Sequence, residues 1–155
     1  YESYIGKTCA SQLIDCYEAY GLPVVSMHEV PKEQVVHYGI MHGVWESTKE
    51  EQMRLDCIYE KPTVDYAEEN LGIRCKNGSR YFAVFGQYIL TEEVYKVLEK
   101  NIRENKESRG EIQLTDALEE VRATTGMMGC RIKGKSYDVG LPQMYIETVR
   151  EFGRI

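Results

Sequence analysis

At 155 residues the chain is long enough for one domain that buries about two thirds of its unfolded surface, so its size demands no disulfide or metal staple. Its 25 acidic side chains outnumber 19 basic ones, for a formal net charge of -6, which argues against the basic face that a nucleic-acid partner requires. A small phosphorylated ligand stays open, because one or two well-placed cations suffice to hold it. The five cysteines, odd in number and scattered, form no C-x-x-C pair and no Cys/His cluster of zinc spacing. They are read as reduced, and the compartment as cytoplasmic. No run approaches the about eighteen apolar residues of a membrane span, so no membrane partner is expected.

In chain order, residues 8–20 carry Ala10, Leu13, Ile14 and Tyr17 at helical spacing, with Thr8 as N-cap and Gly21 as a left-handed terminator. Residues 23–30 (P-V-V-S-M-H-E-V) read as a strand, Pro31 opens a turn, and Tyr38-Gly39-Ile40-Met41 is a short extended piece ended by Gly43. The polar stretch 43–53 predicts an excursion in which Trp45 lies as a lid over core side chains. Leu55 to Glu60 then alternates as a largely buried strand, with Leu55, Cys57 and Tyr59 set against Asp56 and Ile58. Pro62 restricts Lys61 to an extended backbone and withholds the next N–H, so pairing is expected to stop there.

Residues 63–73 give a loop or short helical turn, and Asn77-Gly78 is a hairpin signal. Tyr81 to Leu90 is the most apolar run and predicts a central strand, with Gly86 marking a bend or a close approach. Thr91 is the expected cap of a helix over 92–104 whose Val94, Val97, Leu98 and Ile102 form one buried face. A polar connection follows, then a helix over 113–124 that turns Leu114, Leu118 and Val121 to one side. Residues 127–133 read as a strand, Gly134-Lys135 as a turn, 137–140 as a short strand end, and Pro142 as the first residue of a last helix reaching about Phe152. Strands and helices in alternation indicate an α/β fold, a mixed sheet with flanking helices.

His28, His37 and His42 sit in no nucleophile context and read as surface or packing residues. Neither G-x-G-x-x-G nor a P-loop is present, so no backbone cradle for a triphosphate is found. What remains is polar residues at strand ends. Lys61 suits a phosphate as a point charge, and the carboxylate of Glu60 suits sugar hydroxyls as an acceptor. On its own such a Glu-Lys dipeptide reads as a solvated strand terminus. Regular-strand neighbours point to opposite faces, so both side chains meet one ligand only if the strand twists or ends at Pro62. Gly39 would let a backbone amide approach a sugar. Asp138, ahead of Val139-Gly140, suits either Mg²⁺, which needs only one or two carboxylates beside substrate phosphates, or a simple Asp-x-Gly turn.

Y-G-I at 38–40, E-K-P at 60–62, F-G-Q-Y-I-L at 85–90, G-E-I-Q-L-T-D-A-L at 110–118 and Y-D-V-G at 137–140 together resemble the bacterial UTP-glucose-1-phosphate uridylyltransferases. Y-G-I and E-K-P are shared with many sugar-nucleotide pyrophosphorylases, whereas the 110–118 block is much more specific. Upstream, Q-L-I-D-C-Y-E-A-Y-G and V-V-S-M-H-E-V-P extend the likeness over nearly the whole chain. The resemblance implies a Rossmann-like nucleotidyltransferase fold in which glucose 1-phosphate attacks the α-phosphorus of UTP and pyrophosphate leaves, with Mg²⁺ bridging. Carried over residue by residue, Gly39 and Glu60 would hold the glucose, Lys61 its phosphate and Asp138 the metal, with Lys61 and Asp138 the catalytic pair. Glu111 and Gln113 would shape the pocket at most.

The family's glycine-rich nucleotide loop and its first metal-binding aspartate have no counterpart here. The expectation is therefore the C-terminal, sugar-phosphate portion of such an enzyme over residues 1–155, without the N-terminal nucleotide-binding portion and inactive alone. A strand edge left uncovered would favour a homo-oligomer. A thymidylyltransferase and a non-catalytic sugar-phosphate-binding or regulatory module are the alternative readings.

Overall fold

The computed structural model describes residues 2–76, 78–108, 110–135, 137 and 142–153. After the short strand β1 (Glu2–Ser3), helix α1 (Cys9–Tyr20) begins at Thr8, whose hydroxyl accepts the Ser11 amide at 3.1 Å. It ends at Gly21 in the left-handed region, whose N–H bonds back to Tyr17. Its buried face is Cys9, Gln12, Leu13 and Cys16, whereas Ala10, Ile14 and Tyr17 are exposed. The helix is thus rotated from the expected phase. The small thiols let it lie close on the sheet, where Cys9 and Cys16 pack with Leu13, Val24, Met128 and Cys130.

Strand β2 (Val24–Val30) leads through a 3-10 turn at Lys32–His37 into β3 (Gly39–Trp45) and β4 (Gln52–Glu60). The expected excursion over 43–53 shortens to a connection over 46–51, its two ends being strand, and Trp45 packs edge-on against Phe82 at 5.1 Å between ring centroids. Thr63 caps α2 (Val64–Asn70), and β5 (Ile73–Cys75) pairs in a hairpin with the long β6 (Gly78–Ile89). Helices α3 (Glu92–Arg103) and α4 (Leu114–Thr125), strands β7 (Met128–Arg131) and β8 (Gly134–Lys135) and helix α5 (Pro142–Phe152) complete the order. Gly134-Lys135 is not a turn but pairs with β1. In α3 the buried polar residue is Asn101, while Ile102, expected inside, is 63% exposed.

The main sheet runs β2-β7-β4-β3-β6-β5, and β2 also pairs with β6, so the pairings make a circuit. Only β2 with β7 is parallel, which makes the sheet mixed. Among the described strands β5 pairs only with β6 and so leaves one side open. β2 is paired on both sides, and where β7 ends beside β4 the amide of Ile58 is taken up by the Glu119 carboxylate of α4, at 3.0 Å.

One ionic network braces this circuit. Arg80 donates to both oxygens of Glu29, at 3.0 and 2.8 Å, and pairs with Glu50, while its guanidinium and that of Arg131 lie over the Phe82 ring. Hydrogen bonds from Arg80 hold the Glu29 carboxyl below its ordinary value of 4.5. A depressed folded value means that this contribution is present above the ordinary carboxylate range and is lost as pH falls through the lowered value. Arg80→Gln is therefore expected to lower the urea midpoint at pH 7, with the gap to the parent narrowing by about pH 3. The gap should be modest, since Glu29 is partly solvent-exposed. Parallel acid limbs in parent and variant would refute the coupling.

Candidate functional site

The site is built where β3 begins and β4 ends, with Gly39 directly opposite Glu60. The side of the sheet that Glu60 faces is set four residues earlier. His42 pairs with Cys57 but Gly43 with Leu55, so Asp56 is an extra residue in β4. The bulge changes the parity of the strand: Met53, Leu55 and Ile58 are buried, while Tyr59 is exposed. Glu60 falls on the Ile58 side, facing α4. There the Thr115 hydroxyl donates to its Oε2 at 2.8 Å. Thr115 and Glu119 are one helical turn apart, and their partners Ile58 and Glu60 are two strand residues apart, so α4 is pinned along β4 by two polar contacts of matching pitch.

A side chain at Gly39 would crowd Glu60 and Val84. A Cβ there would lie 3.0 Å from Glu60 Oε2 and 3.2 Å from Val84 Cγ2. Lys61 departs from the extended backbone expected before a proline, adopting φ +46°. Its N–H donates to the Tyr38 carbonyl at 3.0 Å, which draws the chain around the end of β3. The outcome is that Lys61 Nζ lies 3.8 Å from Glu60 Oε1, on the same side of the strand.

Gly39 and Glu60 line a cavity of about 540 Å³, within the range of small-molecule sites, together with Thr115, His28, His37 and Tyr137. Its far wall comes from a second bulge. Ser26, fully buried, donates to the Gln87 carbonyl at 2.7 Å and accepts the Gln87 amide at 3.0 Å, and Gly86 turns at φ +84°. Nothing lies within 4 Å of a Cβ added there, so Gly86 marks a bend and not a close approach. Tyr88 also lines the cavity, and burial, aided by the charge of Glu60, raises its phenol above the usual value, so it stays a neutral hydrogen-bonding group.

Of the residues singled out in the sequence, Gly39 and Glu60 both line the cavity, whereas Lys61 is not among its lining residues and reaches it only through its 3.8 Å contact with Glu60. Asp138 lies outside the described residues, although its neighbour Tyr137 lines the cavity. Among the described residues, no group of three or more His, Cys, Asp or Glu could hold a metal ion. Glu111 and Gln113 are not among the cavity-lining residues, whereas Thr115 of the same block is. Its signal was legible as helix phase, since Thr115 precedes the buried Leu118 by three positions. His28 and His37, read from sequence as packing or surface residues, also face this space.

An α/β sheet with a polar cavity at its strand ends defines a protein of the class that holds small ligands outside the sheet. The chain belongs to the nucleotidyl transferase family, whose model matches residues 5–153. It is 30% identical over 143 residues to the UTP–glucose-1-phosphate uridylyltransferase of Pseudomonas aeruginosa, a match covering 92% of this chain and 46% of that one. It is 33% identical over 146 residues to UTP–glucose-1-phosphate uridylyltransferase 2 of Streptococcus pyogenes serotype M3, covering 94% and 44%. Among solved structures, UDP-glucose pyrophosphorylase complexed with UDP-glucose superposes with a TM-score of 0.81 at 27% identity, over 99% of this chain and 52% of that one. UTP-bound UGPase from Acinetobacter baumannii gives 0.73 at 26% identity, over 98% and 47%. The chain thus spans about half the length of the curated relatives it matches. No helix of the described residues is long and apolar enough to cross a membrane.

Proposed function

We propose that this chain supplies the sugar-phosphate side of a UTP-glucose-1-phosphate uridylyltransferase, which joins UTP and glucose 1-phosphate into UDP-glucose and releases pyrophosphate. The observation that supports the reading is that Gly39 and Glu60 line one cavity while the ammonium of Lys61 lies 3.8 Å from the Glu60 carboxylate. In this reading Glu60, oriented by Thr115, accepts hydrogen bonds from glucose hydroxyls. Gly39 lets the sugar ring approach the backbone. Lys61 holds the phosphate and offsets its charge as a phosphate oxygen closes on the α-phosphorus of UTP, so that the protein contributes position and charge rather than covalent chemistry. Asp138, next to the cavity-lining Tyr137, is the carboxylate proposed for Mg²⁺, an ion that would bridge and neutralise substrate phosphates. A cytoplasmic setting belongs to the same proposal and is supported by five free cysteines.

The test is a titration of the chain with glucose 1-phosphate, followed by amide NMR. Saturable shifts confined to the 38–40, 60–61 and 115 region are expected, with glucose alone binding more weakly. No saturable shift up to tens of millimolar, or the same response to inorganic phosphate alone, would remove the sugar-phosphate reading. Pyrophosphate release from UTP by this chain alone is not expected.

A further inference from the structure

A positive φ at Lys61 is costly for any side chain that carries a Cβ, and glycine or asparagine enters that region far more readily. Among the described residues two other non-glycine positions share it, Glu50 and Asn105, both in connections between elements. Lys61 differs in place: it follows Glu60 at the cavity, precedes a buried proline, and is anchored through its N–H to the Tyr38 carbonyl at 3.0 Å. The distortion is thus held from both sides. Without it, consecutive strand residues would send the carboxylate and the ammonium to opposite faces.

We infer that position 61 is a strained positioning point, where the fold gives up stability to bring the ammonium round to the side of Glu60. Strain of this kind persists only where the surroundings impose it, and here the imposed geometry falls directly after Glu60, which lines the cavity. A residue at ease in the left-handed region makes the chain more stable and the site poorer. The binding half of this inference rests on the sugar-phosphate reading above; the backbone half does not.

The experiment compares Lys61→Ala, Lys61→Gly and Lys61→Asn in the whole chain, by thermal melting and by glucose 1-phosphate titration. All three remove the ammonium, so its ion pair with Glu60 cancels from the comparison. Alanine retains the steric penalty, while glycine and asparagine relieve it. The expected result is that the glycine and asparagine variants melt about 2–4 °C above the alanine variant. All three should bind glucose 1-phosphate at least about tenfold more weakly than the parent. A variant that is more stable than Lys61→Ala yet still fails to bind shows that the loss of binding follows the missing ammonium and not the stability of the fold. Equal melting temperatures for the three variants would overturn the inference, whatever happens to binding. The expected melting order in a parent that does not bind would support the strain and remove the substrate reading instead.

Discussion

Glu60→Ala is expected to weaken glucose 1-phosphate binding roughly 100-fold, and Glu60→Gln roughly tenfold. A hydrogen bond to a charged acceptor is worth about 1.5–3 kcal/mol, and a carboxylate that meets two sugar hydroxyls makes two of them. Glutamine keeps one acceptor oxygen and loses the charge, so it should fall between. The side chain is well placed for such an effect. It is only 21% exposed, and its Oε2 is held by the Thr115 hydroxyl. Isothermal titration of parent and variants provides the measurement, with thermal melting as a check on folding. Binding by Glu60→Ala within threefold of the parent would take Glu60 out of the site.

Local chemistry was readable ahead of the structure wherever one residue decides the conformation. Thr8 and Gly21 cap α1 as expected, because a hydroxyl or a missing Cβ acts over three or four residues, whereas Thr91 starts α3 without a side-chain capping bond. The helix phase of α1 was not readable in the same way. Ile14 and Tyr17 outweigh Cys9 and Cys16 in hydropathy, yet close contact with the sheet selects the smaller thiols. In β4 a strict alternation through Leu55, Cys57 and Tyr59 hid the extra residue at Asp56, although two buried residues three apart, Leu55 and Ile58, were its trace. That bulge matters most for the site. A one-residue slip reverses every side chain beyond it, so the sequence named Glu60 as a ligand residue without telling which face it would serve. The left-handed Lys61 was hidden for a related reason: proline argues for extension locally, and the Tyr38 carbonyl that overrides it lies just before β3, more than twenty residues away in sequence.

The same bulge supplies the largest expected stability effect, at Gly43→Ala. Gly43 needs no unusual φ; what excludes a side chain there is proximity. A Cβ at this position would lie 2.2 Å from the Arg54 carbonyl oxygen and 3.0 Å from Leu55 Cα, both backbone atoms that no rotamer change can move aside. The only relief is to part β3 from β4 at the point where the register shifts, beside the buried Met53 and Leu55. A cost of at least about 3 kcal/mol follows, and for a domain of this size a fall in melting temperature of about 6–12 °C. Gly86→Ala is the matched control, because its penalty comes from φ +84° alone with open space around the added methyl, and should be about 1–2 kcal/mol. The two variants should also differ in binding. Parting the strands at Gly43 releases the parity that turns Glu60 toward Thr115, so whatever Gly43→Ala protein remains folded should bind glucose 1-phosphate poorly even well below its melting point. A Gly43→Ala chain that melts within 2 °C of the parent would mean that the strands tolerate a methyl group at the bulge, and that the aim of Glu60 is set elsewhere.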